Sequence, residues 1–197
     1  MKHLALAFAL AWSCAFGVLA SPAAAADESS EAIIAAAQAA EAARSDMSAA
    51  FDRTSLRAGQ YLWKRGREAS PVNRVVIDLT GQLAYAYQGG ELIAVSSISS
   101  GVERHPSPIG IFPILEKRRE YRSIKYDNAS MPFMQRIDDY GIALHAGQVS
   151  GRPASHGCVR LPGGFAARLF AATQLGTPVL MGKPSILVGL RKQGHKL

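Results

Sequence analysis

The residues best suited to chemistry in this chain of 197 residues lie close together, between His145 and Arg160. Residues 154–161 read ASHGCVRL, so that Cys158 follows His156 by two positions and His145 by thirteen. A thiol near its ordinary pKa is mostly protonated at neutral pH, and an imidazole within hydrogen-bond reach can take its proton. The spacing therefore predicts a cysteine nucleophile, with one of the two histidines as its base.

The glycine beside the thiol favours stabilisation of an oxyanion. Because glycine has no side chain, the backbone amides of Gly157 and Cys158 could both face a reacting carbonyl oxygen. Two other interpretations exist: Cys158 as a small buried hydrophobe, or His145, His156 and Cys158 as ligands of Zn²⁺. The spacing matches no common zinc arrangement, and no carboxylate is close in sequence. We therefore expect no metal and no other cofactor.

The first residues are typical of a secretory leader. An apolar run covers residues 4–20, and alanines at 24–26 offer the small side chains that a signal peptidase requires. We expect residues 1–26 to be removed on export, which takes Cys14 away and leaves Cys158 as the single thiol. A membrane anchor is the alternative, but the run is slightly short for a span and the small residues follow it at once.

The chain is basic, with a formal net charge of +7. A basic exported protein suggests anionic surroundings, such as a cell-wall polymer or membrane headgroups, and we expect it in the periplasm or cell envelope. The sequence lacks the interleaved basic and aromatic residues of a nucleic-acid-binding face, so no nucleic acid is expected as a partner. After residue 26 it also lacks an apolar run long enough to span a membrane.

The rest of the chain divides by pattern into a spacer, a domain and a tail. Residues 27–71 are rich in alanine and end in a basic joint, which indicates either a docked helix or a semi-ordered linker. Short apolar runs between turn residues over 72–183 predict a mostly β, antiparallel domain with a short helix after the cysteine loop. Within it, residues 116–136 favour a long hairpin or lid. A basic tail covers 184–197.

Four segments in the same order resemble the L,D-transpeptidase catalytic domain, the YkuD family of bacterial cell-wall enzymes. They are SHGCVR at 155–160 with the upstream His145, PSPIGIF at 106–112, MPFM at 131–134 and GTPV at 176–179. The likeness extends over about residues 72–182 and implies an antiparallel, β-sandwich or barrel-like fold.

The resemblance implies a role for each matching residue. Cys158 would be the nucleophile and His145 the general base, while the backbone carbonyl of Ala146 would fix the tautomer of that histidine. Arg160 stands where the most quoted form of the family's pattern has asparagine, and its planar guanidinium suits a substrate carboxylate. The remaining implied substrate-binding residues are Ser155, His156, Met131 and Phe133.

The resemblance also implies a reaction. Cys158 would attack the carbonyl at the L-centre of diaminopimelate in a peptidoglycan tetrapeptide stem and expel the terminal D-alanine. An amine on a second stem, a lysine of an outer-membrane lipoprotein, or water could then resolve the thioester, and water would make the protein a carboxypeptidase or hydrolase. A non-catalytic wall-binding module would not need the thiol, and a papain-like peptidase would have its histidine downstream of the cysteine rather than upstream.

Overall fold

The computed structural model describes residues 25–67 and 71–192. Most of the expected signal peptide, with Cys14, lies outside the described residues, as do the last five residues of the expected basic tail. Among the residues that are described, no helix is both long and apolar enough to cross a membrane.

The helices and strands, in chain order, are α1 (Ser30–Phe51), β1 (Tyr61–Trp63), β2 (Arg74–Asp78), β3 (Leu83–Gln88), β4 (Glu91–Ser97), β5 (Gly110–Pro113), β6 (Glu116–Arg118), β7 (Met134–Arg136), β8 (Ala143–Ala146), β9 (Val159–Leu161), α2 (Gly163–Ala172), β10 (Pro178–Gly182) and α3 (Ser185–Lys192).

The strands form two open sheets, which confirms the mostly β, sandwich-like fold. The larger sheet has the order β1-β4-β3-β2-β10-β5, and the smaller has the order β6-β7-β8-β9. Most neighbours are antiparallel, but β2 pairs parallel with β10 and β8 pairs parallel with β9. A parallel pair needs a long connection between its strands. Residues 147–158 supply that connection between β8 and β9, and they include the cysteine loop.

The main core lies between the two sheets and helix α2. It contains Ile77 and Ile93 from the larger sheet, Leu144 from the smaller one, and Phe165 and Leu169 from α2, all fully buried. The helix predicted after the cysteine loop is confirmed, since its apolar side chains recur at the spacing that places them on one helical face. This core fixes β8 and β9, and therefore the two residues that could react.

The alanine-rich segment forms a docked helix rather than a semi-ordered linker. Ser29 caps α1 by accepting a hydrogen bond from the amide of Ala32 at 3.2 Å. The small side chains let its backbone approach β10 closely, because a Cβ at Gly182 would lie only 2.1 Å from the carbonyl oxygen of Ala36. Arg44 also holds the buried carboxylate of Asp78 through two hydrogen bonds, at 2.6 and 3.1 Å.

Two further contacts attach residues before 72 to the larger sheet. Strand β1 comes from the expected linker and pairs antiparallel with β4. Asp27 exchanges two backbone hydrogen bonds with Ile111 on β5, at 2.8 and 2.9 Å. Residues 27–63 therefore cover one face and pair at both edges of this sheet.

Residues 116–136 form the long hairpin predicted from the sequence. Its base is the antiparallel pair of β6 and β7, and the loop between them, residues 119–133, is called the lid here. The base is attached to α2, since the ammonium group of Lys117 donates to the carbonyl oxygens of Phe170, at 2.6 Å, and of Thr173. Cations at a helix C-terminus stabilise its unpaired carbonyl groups.

Candidate active site

The parallel pair of β8 and β9 brings the candidate base beside the candidate nucleophile. His145 on β8 aligns with Arg160 on β9, and Leu144 aligns with Val159. Cys158 directly precedes β9, so the same register places it opposite Ala143, two residues before His145 on β8, although thirteen residues separate the cysteine and the histidine in sequence. Both side chains line one cavity of about 520 Å³.

The imidazole of His145 is held in a defined orientation. Its Nδ1 lies 2.8 Å from the carbonyl oxygen of Ala146, which can only accept a hydrogen bond. Nδ1 therefore carries the proton, and Nε2 is left unprotonated. Burial lowers the pKa of His145 below its ordinary value, so the ring is neutral at neutral pH. The arrangement gives a neutral nitrogen base at the floor of the cavity.

The thiol of Cys158 is also kept neutral. Its Sγ lies 3.8 Å from the carbonyl oxygen of Gly141, a weak hydrogen bond, and burial raises its pKa above the ordinary value. Because burial lowers one pKa and raises the other, a thiolate–imidazolium pair is disfavoured at rest. The site fits proton removal during attack better than a pair that is already ionised.

A network of hydrogen bonds shapes the cysteine loop. The hydroxyl of Ser155 donates to the carbonyl oxygen of Cys158 and accepts from the amide of Gly157 at 3.1 Å. Gly157 has a φ of +112°, and a Cβ there would lie 2.6 Å from Cδ1 of Ile142. Only glycine fits this position. Since the Gly157 amide already donates to Ser155, the amide of Cys158 is the better placed of the two predicted oxyanion donors.

Ser107 supports the same loop, although its role was not predicted from the sequence. Its hydroxyl donates to the carbonyl oxygen of Gly157 at 2.6 Å and accepts from the amide of Gly101 at 2.9 Å. Ser107 lies in the segment that resembles the family, but nothing in the local pattern indicates that its partner is fifty residues away. The backbone of Ser155 also pairs with residues 100–102, which extends this support.

Two cavities meet at Cys158. The larger, about 520 Å³, reaches His145 and Arg160, and we call it the Arg160 cavity. The smaller, about 270 Å³, reaches Tyr140 and Ile142, and we call it the Tyr140 cavity. The residues common to both are Ser123, Tyr126, Met131, His156 and Cys158. A reacting group at the sulfur can therefore be approached from two sides.

His156 forms part of the wall between these cavities. Its exposed ring stacks on Tyr126 of the lid, with ring centroids 4.9 Å apart, and lies at 5.1 Å from the ring of His105. Through these contacts the imidazole of His156 packs against the lid, whereas Nδ1 of His145 is hydrogen-bonded to Ala146. Tyr126 was not predicted from the sequence to line the site. The signal available there was an aromatic residue within a charged segment.

The other predicted substrate-binding residues do not all reach the cavities. Arg160 lines its cavity with its alkyl chain beside Gly147, and within the described residues it makes no ion pair. Met131 lines both cavities, but Phe133 lines neither, and it packs against Phe170 with ring centroids 5.9 Å apart. Phe133 has a φ of +56°, which breaks the extended backbone that would keep it on the side of Met131.

No metal ligand set was found in the part of the chain that the structure describes. Nowhere in it do three His, Cys, Asp or Glu side chains lie close enough together to hold an ion.

Comparison with known proteins agrees with the fold and the motif. The model of the L,D-transpeptidase catalytic domain, the YkuD family, matches residues 72–181, and the chain belongs to this family. No curated protein sequence matches the chain significantly.

Several solved structures share the fold. An L,D-transpeptidase from Mycobacterium tuberculosis is 21% identical, with a TM-score of 0.53, over 56% of this chain and 57% of that one. L,D-transpeptidase 3 from the same organism, in complex with a faropenem-derived adduct, is 21% identical, with a TM-score of 0.52, over 57% and 61%. One from Stackebrandtia nassauensis is 24% identical, with a TM-score of 0.52, over 59% and 58%. The match thus spans less than two thirds of each of these chains.

Proposed function

We propose that this protein is a cysteine acyltransferase in which Cys158 forms a thioester with its substrate. The observation that carries the proposal is the buried His145, whose Nδ1 is bonded to Ala146, whose Nε2 is unprotonated, and which lines the same cavity as Cys158. Nε2 takes the thiol proton while Sγ attacks a carbonyl carbon. The amide C–N bond then breaks, and the leaving amine receives that proton from the imidazolium. The amide of Cys158 donates to the oxyanion that forms in between.

The proposed donor is a peptidoglycan tetrapeptide stem, cleaved between diaminopimelate and the terminal D-alanine. Membership of the L,D-transpeptidase family supports this substrate. Arg160 supports it as well, because an unpaired guanidinium in the cavity suits the carboxylate that ends the stem. A substrate of this kind places the activity at the cell wall, outside the cytoplasm, as the leader-like sequence predicts.

The second substrate is proposed to be an amine. The Tyr140 cavity also reaches Cys158 and has lining residues that the Arg160 cavity lacks, so an acceptor can approach the thioester while the donor stays bound. His145 removes a proton from the amine as it attacks, the C–S bond breaks, and the thiol is regenerated. A second stem would give a 3–3 crosslink, and a lysine of an outer-membrane lipoprotein would give a wall attachment.

Mass analysis of stem peptides after incubation with the purified protein tests the proposal. The expected products are free D-alanine and a crosslinked dimer, and faropenem should leave one covalent adduct on Cys158. Cys158→Ala should give neither, while His145→Ala should react about 10²–10⁴-fold more slowly, as expected for loss of a general base. Loss of D-alanine with no dimer would instead identify a carboxypeptidase. Wild-type rates in folded Cys158→Ala would rule out the nucleophile.

A further inference from the structure

Two side chains of opposite charge line the Arg160 cavity from different elements. Arg160 lies on β9, and Asp127 lies in the lid. They do not pair with each other, and within the described residues neither forms an ion pair with any other group. Asp127 is the only carboxylate among the described residues that line this cavity. The residues that line the cavity therefore include one exposed carboxylate and one guanidinium that form no ion pair with each other.

The position of Asp127 is fixed by a tight turn. The amide of Ala129 donates to the carbonyl oxygen of Tyr126 at 2.9 Å, and the two central residues, Asp127 and Asn128, have φ values of 46° and 53°. Positive φ at both central positions is the signature of a type I′ turn. Ser123 strengthens it by accepting from the amide of Tyr126 at 3.0 Å. The carboxylate of Asp127 is thus carried on a hydrogen-bonded part of the lid.

We propose that Asp127 binds the side-chain ammonium group of the diamino acid in the donor stem, while Arg160 binds the carboxylate of the terminal D-alanine. This inference rests on the proposed function, because it names how that substrate is held. The side chain of diaminopimelate carries an ammonium group several bonds from the scissile carbonyl. This ammonium group needs a carboxylate that is not paired with the guanidinium of Arg160. The unpaired charges of Asp127 and Arg160 suit such a ligand better than a stem with a neutral side chain, which would leave Asp127 without a partner. Asp127 is therefore a specificity-determining residue on the lid.

The test compares two donors and two lid variants. The donors are a diaminopimelate tetrapeptide and an analogue that lacks the side-chain amine. Asp127→Asn removes the charge, and asparagine accepts the positive φ, so the turn is kept. Glu120→Gln is the matched control, because Glu120 is an exposed lid carboxylate that lines a different cavity, on the side of Phe133.

Asp127→Asn should raise KM for the diaminopimelate donor about fivefold, the upper range for a partly exposed ion pair, with little change in kcat. It should leave KM for the analogue unchanged, and Asp127→Glu should restore part of the discrimination. Glu120→Gln should behave as wild type with both donors. Equal KM values for wild type and Asp127→Asn with the diaminopimelate donor would overturn the inference.

Acylation by faropenem distinguishes loss of the ammonium contact from failure of the proposed function, because faropenem carries a carboxylate and no cationic group. Asp127→Asn should be acylated by it at the wild-type rate, with an unchanged melting temperature. A slower acylation would mean that Asp127 shapes the site in general, and would overturn the ammonium role. If the wild type is acylated by faropenem but consumes neither donor, the proposed function fails, and this inference fails with it.

Discussion

Replacement of Ser107 by alanine tests whether the cysteine loop depends on a distant hydroxyl group. Ser107 is 6% exposed, and its hydroxyl donates to the carbonyl oxygen of Gly157 at 2.6 Å and accepts from the amide of Gly101 at 2.9 Å. Ser107→Ala leaves both backbone groups without this partner, and a buried polar group without a partner costs about 1–3 kcal/mol. Because water can reach part of the loop from the cavity, we expect a loss of about 2–4 kcal/mol in the free energy of unfolding. That is a large share of the roughly 5–15 kcal/mol typical of a domain.

The variant should also be slower to react, because Gly157 directly precedes the nucleophile. A shift of about 1 Å in a reacting group can cost on the order of 10²-fold in rate, so faropenem acylation should fall roughly 10–10²-fold. Urea unfolding and intact-protein mass spectrometry measure the two effects. Ser55→Ala is the control, since Ser55 is exposed and lies outside both cavities that meet at the cysteine. A loss below about 0.5 kcal/mol, the range of neutral surface changes, together with an unchanged rate would refute the reasoning.

Three further predictions concern the base, the thiol and the loop glycine. Burial lowers the pKa of His145, so the acid limb of the acylation rate should have its midpoint below the ordinary imidazole value of about 6.5; a midpoint above it would contradict the neutral base. Burial raises the pKa of Cys158, so its alkylation by iodoacetamide should keep increasing above the ordinary thiol value of about 8.5. Gly157→Ala places a Cβ 2.6 Å from Ile142 at a φ of +112° and should cost about 1–3 kcal/mol in backbone strain alone, with loss of acylation. Gly163→Ala has open space and an ordinary φ, so equal effects of the two substitutions on urea unfolding would show that the conformation of Gly157 is unimportant.

The sequence was sufficient for the family and the fold class, because both depend on local patterns. Short apolar runs between turn residues predicted the β domain, and the SHGCVR motif with His145 predicted the family, which the comparison confirms. The catalytic roles of Cys158 and His145 stay predictions, although the structure places both in one cavity.

What the sequence missed depends on contacts between distant segments. Ser107 meets Gly157 across fifty residues, and Tyr126 meets His156 across thirty. No periodicity within a single element encodes such pairs. Phe133 was predicted to bind substrate because MPFM resembles a segment of the family, but it lines neither cavity at the cysteine, and with its positive φ it packs against Phe170. Backbone conformation at a single residue therefore decided where this side chain lies.

The contacts of α1 have a consequence for how much of the chain can fold alone. A fragment limited to residues 72–181, the span of the family match, would lack α1, β1 and Asp27. It would expose the apolar face that α1 covers and leave the backbone of β4 and β5 unpaired at the two ends of the larger sheet. Unpaired, apolar sheet edges promote association between chains. We therefore expect a fragment that begins at residue 72 to self-associate more readily than one that begins at Asp27.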